Sequence, residues 1–533
     1  MQFLCNNLAA ICVATMASLM AWLLGGMQAP ILERVVPWAM LFMIEIILVF
    51  PQKHEGESTY DARSRAWDAM RHDPVVWTAL GFLLLLAIPF MNNGYCQSCY
   101  RELIIQTGID PEPPIKFLPY CLDRINHLNV FLWFAVALSA MIATRHCLTG
   151  SGKRLMVGII VWNGFALAIL GFLQIATGAE GVFWTPLENG ETAEFFSTFW
   201  YPNMAGDYFT TLFGMAVAMW RLHHDEVAET YRHSSGDIIK KSAHKLFWMK
   251  NFYLIPAVIF YFAALNTLSR AAIILVNVLL VAYFLHSFFS FTHRLRRVER
   301  VRRGGVCLAI AALVVFFASI SIPERMQREV DTLNPDVVLT RVTGKGQYHV
   351  RVATAIWRDN LLFGCGGWGY RHLCVPKMLE TSTPEDVRKE LQMVGGINVH
   401  NDYLQFLAEH GLVGFGALVA IVVMLMIPVG KVWRRLVRQI RFVKKSDLPP
   451  KPVQLFVLPA PAFFILMTLV ATFIHGFGDC PLRSLAVLTL FFVLLAALPG
   501  FLPRFDSNHE SEASESAGEG EETKTEVATT EEK

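Results

Sequence analysis

Val399-His400-Asn401-Asp402-Tyr403-Leu404-Gln405-Phe406-Leu407-Ala408-Glu409-His410-Gly411 runs without a break into the apolar stretch that opens at Leu412. About 20 mostly apolar residues are needed to cross a bilayer core, so this stretch joins a polar head directly to a membrane segment. If Asn398 caps the helix, His400 falls in its first turn, and His400, Leu404, Leu407 and Gly411 share one stripe, because helical neighbours recur every three or four residues. The positive end of the helix dipole then disfavours imidazolium and favours a phosphate nearby. A neutral ring can accept a proton. The plainer alternative is an interfacial helix whose His is merely polar.

Composition carries the same message along the whole chain. Of 533 residues, 54% are hydrophobic and only 17% charged, with mean hydropathy +0.41. That is too much apolar material for an ordinary soluble surface, and it is blocked into long runs. Runs begin near Asn7, Val35, Val75, Asn126, Leu155, Asn203, Asn251, Ala271, Val306, Leu412, Val453 and Leu482. The expected fold is an all-α polytopic membrane protein with about twelve transmembrane helices.

Loop charge assigns the two sides, since short cytoplasmic loops carry the Lys and Arg excess. Basic loops at 51–74, 144–154, 221–250, 293–303 and 431–451 alternate with acidic or mixed ones such as 178–202, which holds Glu180, Glu188, Glu191 and Glu194. Both termini then lie in the cytoplasm. Leu8 to Gly25 lacks the basic start of a signal peptide and is followed at once by further runs, so it reads as a retained first helix. Residues 506–533 hold ten of the 44 acidic residues against two Lys, a composition that cannot bury enough apolar surface to fold. The expected divisions are N-terminal helices at 1–198, a second membrane unit at 199–500 and a disordered acidic cytoplasmic tail at 501–533.

The longest outside loop, 323–410, falls between the ninth and tenth runs. Its apolar residues, among them Ile356, Trp357, Leu361, Leu362 and Phe363, are enough for short helices packed on the membrane face. It also carries Arg341, Arg351 and the cluster Gly364-Cys365-Gly366-Gly367-Trp368-Gly369. Such glycines permit a tight turn or a close backbone approach. Ser269-Arg270 sits between two apolar runs at the outer face, where an unpaired Arg is costly and a functional role is the default. His475 to Arg483 forms another polar turn there, whose His and Asp either line the same cavity or cap two helices. Six of ten Cys fall in or beside outside loops, where disulfides persist. Cys365 with Cys374, and Cys121 with Cys96 or Cys99, are candidate bridges, and unpaired thiols are the alternative. Cys96-x-x-Cys99 has no second ligand pair at zinc spacing.

The order of Ser269-Arg270, an Arg-bearing loop leading to Gly364-Cys365-Gly366, and His400-Asn401-Asp402-Tyr403-Leu404 with Gly411 and Gly414 resembles the O-antigen ligase and polymerase superfamily. Phe199-Trp200-Tyr201-Pro202-Asn203 is similar to that family's aromatic-Pro-Asn turn, so the resemblance covers roughly 199–498. It implies a membrane glycosyltransferase that takes a glycan from an undecaprenyl-pyrophosphate carrier at the periplasmic face of the bacterial inner membrane. No cofactor, metal or nucleic acid is implied. Arg270 and Arg351 would hold the diphosphate, since guanidinium matches phosphate with a forked geometry. The family's loop Arg usually lies a few residues before a Trp. Arg351 lies six before Trp357, which keeps Arg341 as a rival. His400 would act as the base, with Asn401 and Asp402 orienting the ring or the sugar. The acceptor hydroxyl would belong to lipid A-core, a growing glycan or a protein, and a polymerase would differ from a ligase only there. A transporter or flippase is the alternative of another class. It would place ionisable groups near the midplane, whereas the clearest acidic residue inside a run is Glu45.

Overall fold

Helices are the expected outcome for backbone that must satisfy its own polar groups in lipid. The computed structural model has no β-strand among its described residues, which are 2–23, 25, 32–93, 113–115, 117–185, 195–232, 251–292, 345–381, 398–445 and 458–503. The run near Val306, Arg341, Cys96, Cys99 and almost all of the acidic tail lie outside them.

In chain order the helices are α1 (Gln2–Trp22), α2 (Leu32–Val49), α3 (Thr59–Arg71), α4 (Pro74–Ala87), α5 (Arg124–His146), α6 (Gly150–Ala176) and α7 (Pro202–Arg232). There follow α8 (Leu254–Asn266), α9 (Arg270–Thr292), α10 (Lys345–Asp359), α11 (Gly369–Thr381), α12 (Asp402–Lys445), α13 (Ala460–Gly478) and α14 (Leu485–Ala497). Four are long and apolar enough to cross a membrane: α5, α6, the Asp402–Arg438 part of α12, and α13. The pair α3 and α4, bent by 68°, makes a fifth if counted as one span. The sequence count of twelve also includes runs that form shorter helices and the run near Val306 that lies outside the described residues. Leu254–Asn266, for example, has 13 residues, shorter than the roughly 20 residues of a full crossing.

Packing centres on α7, which lies against α8, α9 and α13. A second group sets α14 and α2 on α5, and α1 on α6. Side chains such as Tyr208, Phe209, Phe260 and Phe464 are fully buried in this core. The turns that carry the polar residues lie at helix ends of the first group: Tyr201-Pro202-Asn203 opens α7, Ser269 precedes α9, and Asp479 follows α13. Pro202 suits the first helical position because its missing N–H has no partner to lose there.

One break organises the segment that holds α10 and α11. Gly411 has φ 62° and ψ −170° and divides α12 into Asp402–His410 and a longer second part. Interrupting a helix leaves backbone groups without intrahelical partners, and residues 361–366 supply them. The N–H groups of Cys365 and Gly366 donate to the Ala408 and Glu409 carbonyls at 3.0 and 2.9 Å, while Leu412 and Val413 donate to the Leu361 and Leu362 carbonyls at 2.9 and 3.0 Å. A Cβ on Gly411 would lie 2.3 Å from the Leu362 carbonyl, and one on Gly364 2.3 Å from the Glu409 carbonyl carbon. The glycine cluster is thus both the turn between α10 and α11 and a close backbone approach to α12.

Candidate active site

The start of α12 differs from the expected one. Asn401, not Asn398, caps the helix: its Oδ1 accepts the N–H of Leu404 at 2.9 Å, the bond that defines a side-chain cap. Asn398 instead accepts from Gln405 Nε2 at 3.3 Å, and Gln405 Oε1 accepts the N–H of Val399 at 3.0 Å. His400 therefore precedes the helix, in the left-handed region at φ 56°, and shares no stripe with Leu404 and Leu407. Such a backbone is uncommon for a residue with a Cβ, and positions of this kind cluster at functional sites.

What faces the ring is a carboxylate. His400 Nδ1 lies 3.2 Å from Asp479 Oδ1, the His side chain 46% exposed and the Asp side chain only 6%. Asp479 is fixed from several directions. Tyr201 OH donates to its Oδ2 at 2.9 Å and reaches Oδ1 at 3.1 Å, Asn203 Nδ2 donates to Oδ2, and Cys480 N–H donates to Oδ1 at 2.7 Å. Burial opposes its ionisation, but the hydrogen bond and charge of His400, the Cys480 N–H and the charge of His475 outweigh it and hold the carboxyl below its ordinary value. Burial, with the neighbouring Asp479 charge, pushes the Tyr201 phenol up, so Tyr201 stays a donor. Because an ionised carboxylate only accepts, Nδ1 of His400 carries the hydrogen and a neutral ring presents its lone pair at Nε2.

The same network reaches Arg270. Asn203 Oδ1 accepts from Ser269 Oγ at 2.6 Å, and Ser269 Oγ in turn accepts the N–H of Ala272 at 3.3 Å. Ser269 thereby caps α9 and sets Arg270, half-buried, as its first residue. Five residues from four separate stretches are joined in this way: His400, Asp479, Tyr201, Asn203 and Ser269.

The segment that holds α10 and α11 meets this group through a second imidazole. The His349 ring on α10 lies edge-on to His400 with centroids 5.7 Å apart, and its Nδ1 is 3.0 Å from the buried Tyr370 hydroxyl of α11. Arg351, two residues on, is exposed. At 100° per residue it projects from the opposite side of α10 to His349. Below the site, Arg483 and Glu409 form an ion pair at 2.6 Å with side chains 3% and 0% exposed, and the Arg483 guanidinium rests 5.3 Å from both the Trp368 and Phe406 rings. Trp368 is also covered by Arg371, at 5.2 Å.

Sequence reasoning thus located His400 and Arg270 at one place but did not single out Asp479, Tyr201, Asn203 or His349 for the chemistry. Asp402 is fully buried, its Oδ2 accepting the N–H of Leu482 at 2.9 Å, so the carboxylate on His400 is Asp479. Asn401, besides capping, donates through Nδ2 to the Phe477 carbonyl at 3.1 Å. Glu45 is exposed on α2, whereas Asp207, buried in α7, accepts from Thr472 at 3.1 Å and pairs with His475 at 3.0 Å. Cys365 and Cys374 are both buried and are not bridged to each other, and Cys121 is a free thiol.

Residues 255–420 match the family model described as O-antigen ligase. No curated protein matches the chain. The matched segment holds Ser269, Arg270, His349, Gly364, His400 and Gly411, and the match supports the likeness to the O-antigen ligase superfamily.

Proposed function

We propose that this chain is a member of the O-antigen ligase superfamily and transfers a glycan from undecaprenyl pyrophosphate to an acceptor hydroxyl at the periplasmic face of the inner membrane, with both termini in the cytoplasm. The observation that carries the reading is the His400–Asp479 contact, tied through Tyr201, Asn203 and Ser269 to the turn that presents Arg270. A carboxylate on one ring nitrogen fixes the tautomer and stabilises the imidazolium that forms when the other nitrogen takes a proton.

In the transfer, the acceptor oxygen bonds to the anomeric carbon as the bond from that carbon to the phosphate oxygen breaks. Nε2 of His400 receives the hydroxyl proton. The bond electrons leave with undecaprenyl pyrophosphate, whose growing charge Arg270 meets at the helix start beside the network. Arg351 or Arg341 supplies the second guanidinium, and α10 must turn or the substrate must reach its outer face for Arg351 to serve. Asn401 and Asp402 act on the chemistry through the helix start that they hold. The acceptor is lipid A-core, a growing glycan or a protein hydroxyl, so ligase and polymerase share every step named here.

The test is transfer from an undecaprenyl-pyrophosphate glycan in proteoliposomes, scored for donor consumption. General-base assistance is typically worth about 10² to 10⁴ in rate, and His400→Ala is expected to lose that much while still binding donor. Transfer by His400→Ala within threefold of the parent protein would refute the assignment.

A further inference from the structure

His400 and Asp479 belong to a second constellation that includes the next residue. One ligand atom from each of His400, Asp479 and Cys480 lies within 4.8 Å of the other two, and His400 Nδ1 and Cys480 Sγ stand 3.2 Å and 3.3 Å from Asp479 Oδ1. We propose that these three atoms form a binding site for a divalent cation of the zinc type, and that its occupation switches the transferase off.

The donor set argues for that class of ion. One imidazole nitrogen, one carboxylate oxygen and one sulfur suit zinc, whereas magnesium and calcium take oxygen ligands. The spacing argues for a single ion. At ordinary zinc bond lengths, tetrahedral ligands stand about 3.4 Å apart for nitrogen and oxygen and about 3.6 Å for sulfur and oxygen, so the Oδ1 contacts need to open by only a few tenths of an ångström. Asp479 is also prepared as a ligand. Tyr201 and Asn203 hold Oδ2 from behind, the outer support that coordinating carboxylates generally have. Cys480 is fully buried while the His400 side chain is 46% exposed. The ion therefore approaches past the imidazole, and its fourth position faces solvent.

The switch follows from which nitrogen is used, and that half rests on the reading of His400 as the base. The ion forms bonds to sulfur, oxygen and Nδ1. The Cys480 thiol gives up its proton to solvent, and the hydrogen that sat on Nδ1 moves to Nε2. A ring bound to metal at Nδ1 and protonated at Nε2 has no lone pair for an acceptor hydroxyl. One proton is released per ion bound to the neutral site.

Two measurements on the full chain decide the matter. Titration of purified protein with Co²⁺ is expected to give a thiolate-to-cobalt charge-transfer band, lost in Cys480→Ser and in Cys480→Ala, each confirmed monodisperse. Micromolar Zn²⁺ is expected to lower transfer at least tenfold, a chelator to restore it, and either Cys480 variant to need at least tenfold more Zn²⁺ for half-inhibition relative to its own metal-free rate. Absence of the band, or a band unchanged in both variants, overturns the site. A band that both variants remove, together with full transfer at saturating Zn²⁺, leaves the site standing and overturns the switch and the base assignment together.

Discussion

Replacing Asp479 by Asn keeps the shape of the side chain and removes its charge. The magnitude follows from the geometry. When His400 has taken a proton, its charge stands 3.2 Å from Asp479 Oδ1, an attraction of about 5 kcal/mol at an effective dielectric of about 20. With the His side chain 46% exposed, solvent screening leaves roughly half of this, about 2–3 kcal/mol, which is roughly a 30- to 150-fold fall in the chemical step. Tyr201 and Asn203 both donate to this side chain and hold the Asn oxygen toward themselves, so its amide nitrogen meets His400 Nδ1 and favours the wrong tautomer, adding to the loss. Single-turnover transfer at saturating donor reads the effect, with donor binding measured alongside and expected unchanged. Stability gives a second readout. A carboxyl held below its ordinary value of 3.8 in the native state adds stability that is present above that value and lost as pH falls through the native one. Acid should therefore lower the melting temperature of the parent protein more steeply than that of Asp479→Asn below about pH 4. Single-turnover rates within threefold of the parent would refute the role given to Asp479.

Gly411→Ala should destabilise the protein by more than the roughly 1–3 kcal/mol of a strained backbone, because its Cβ meets the Leu362 carbonyl at 2.3 Å; melting in detergent checks this. Arg270→Ala should weaken binding of the undecaprenyl-pyrophosphate glycan and transfer together, with Arg270→Lys restoring only part, and unchanged affinity would remove Arg270 from the diphosphate site. Arg483→Met leaves Glu409 buried without its partner and should cost about 3–5 kcal/mol, whereas adding Glu409→Gln should recover part of that loss in the same melting assay. Ending the chain at Arg504 should leave specific activity within about twofold, since a tail of this composition contributes no packed core.

The apolar runs were readable because lipid and protein interior demand the same long hydrophobic segments, and among the described residues each of them coincides wholly or partly with a helix. Apolar content alone did not give the helix lengths, which are 13 residues in α8 and α14 and 27 in α6. The start of α12 was misplaced by three residues because Asn398 and Asn401 are both competent caps. Only the three-dimensional course of the chain assigns Asn398 to Gln405 instead. His400 and Arg270 stood out as polar residues beside apolar runs. Asp479 stands 79 positions from His400, and no helical or strand period links residues that far apart, so its pairing with the ring needed the folded chain. Arg351 shows the converse. Its place in the loop suggested the site, while its spacing before Trp357 kept Arg341 as a rival, and the rotation of α10 turns it away from His349, the residue that touches His400.

The join between residues 361–366 and the Gly411 break is made of main-chain hydrogen bonds and glycines that admit no side chain. A fastening of that kind does not draw on the identity of the amino acids around it. The outward faces of α10 and α11 are released from holding their own segment in place and are available to be rewritten for a different incoming alcohol. On the proposed function, a single membrane scaffold can then diversify in what it modifies while the distance from the loop to the His400 imidazole stays constant.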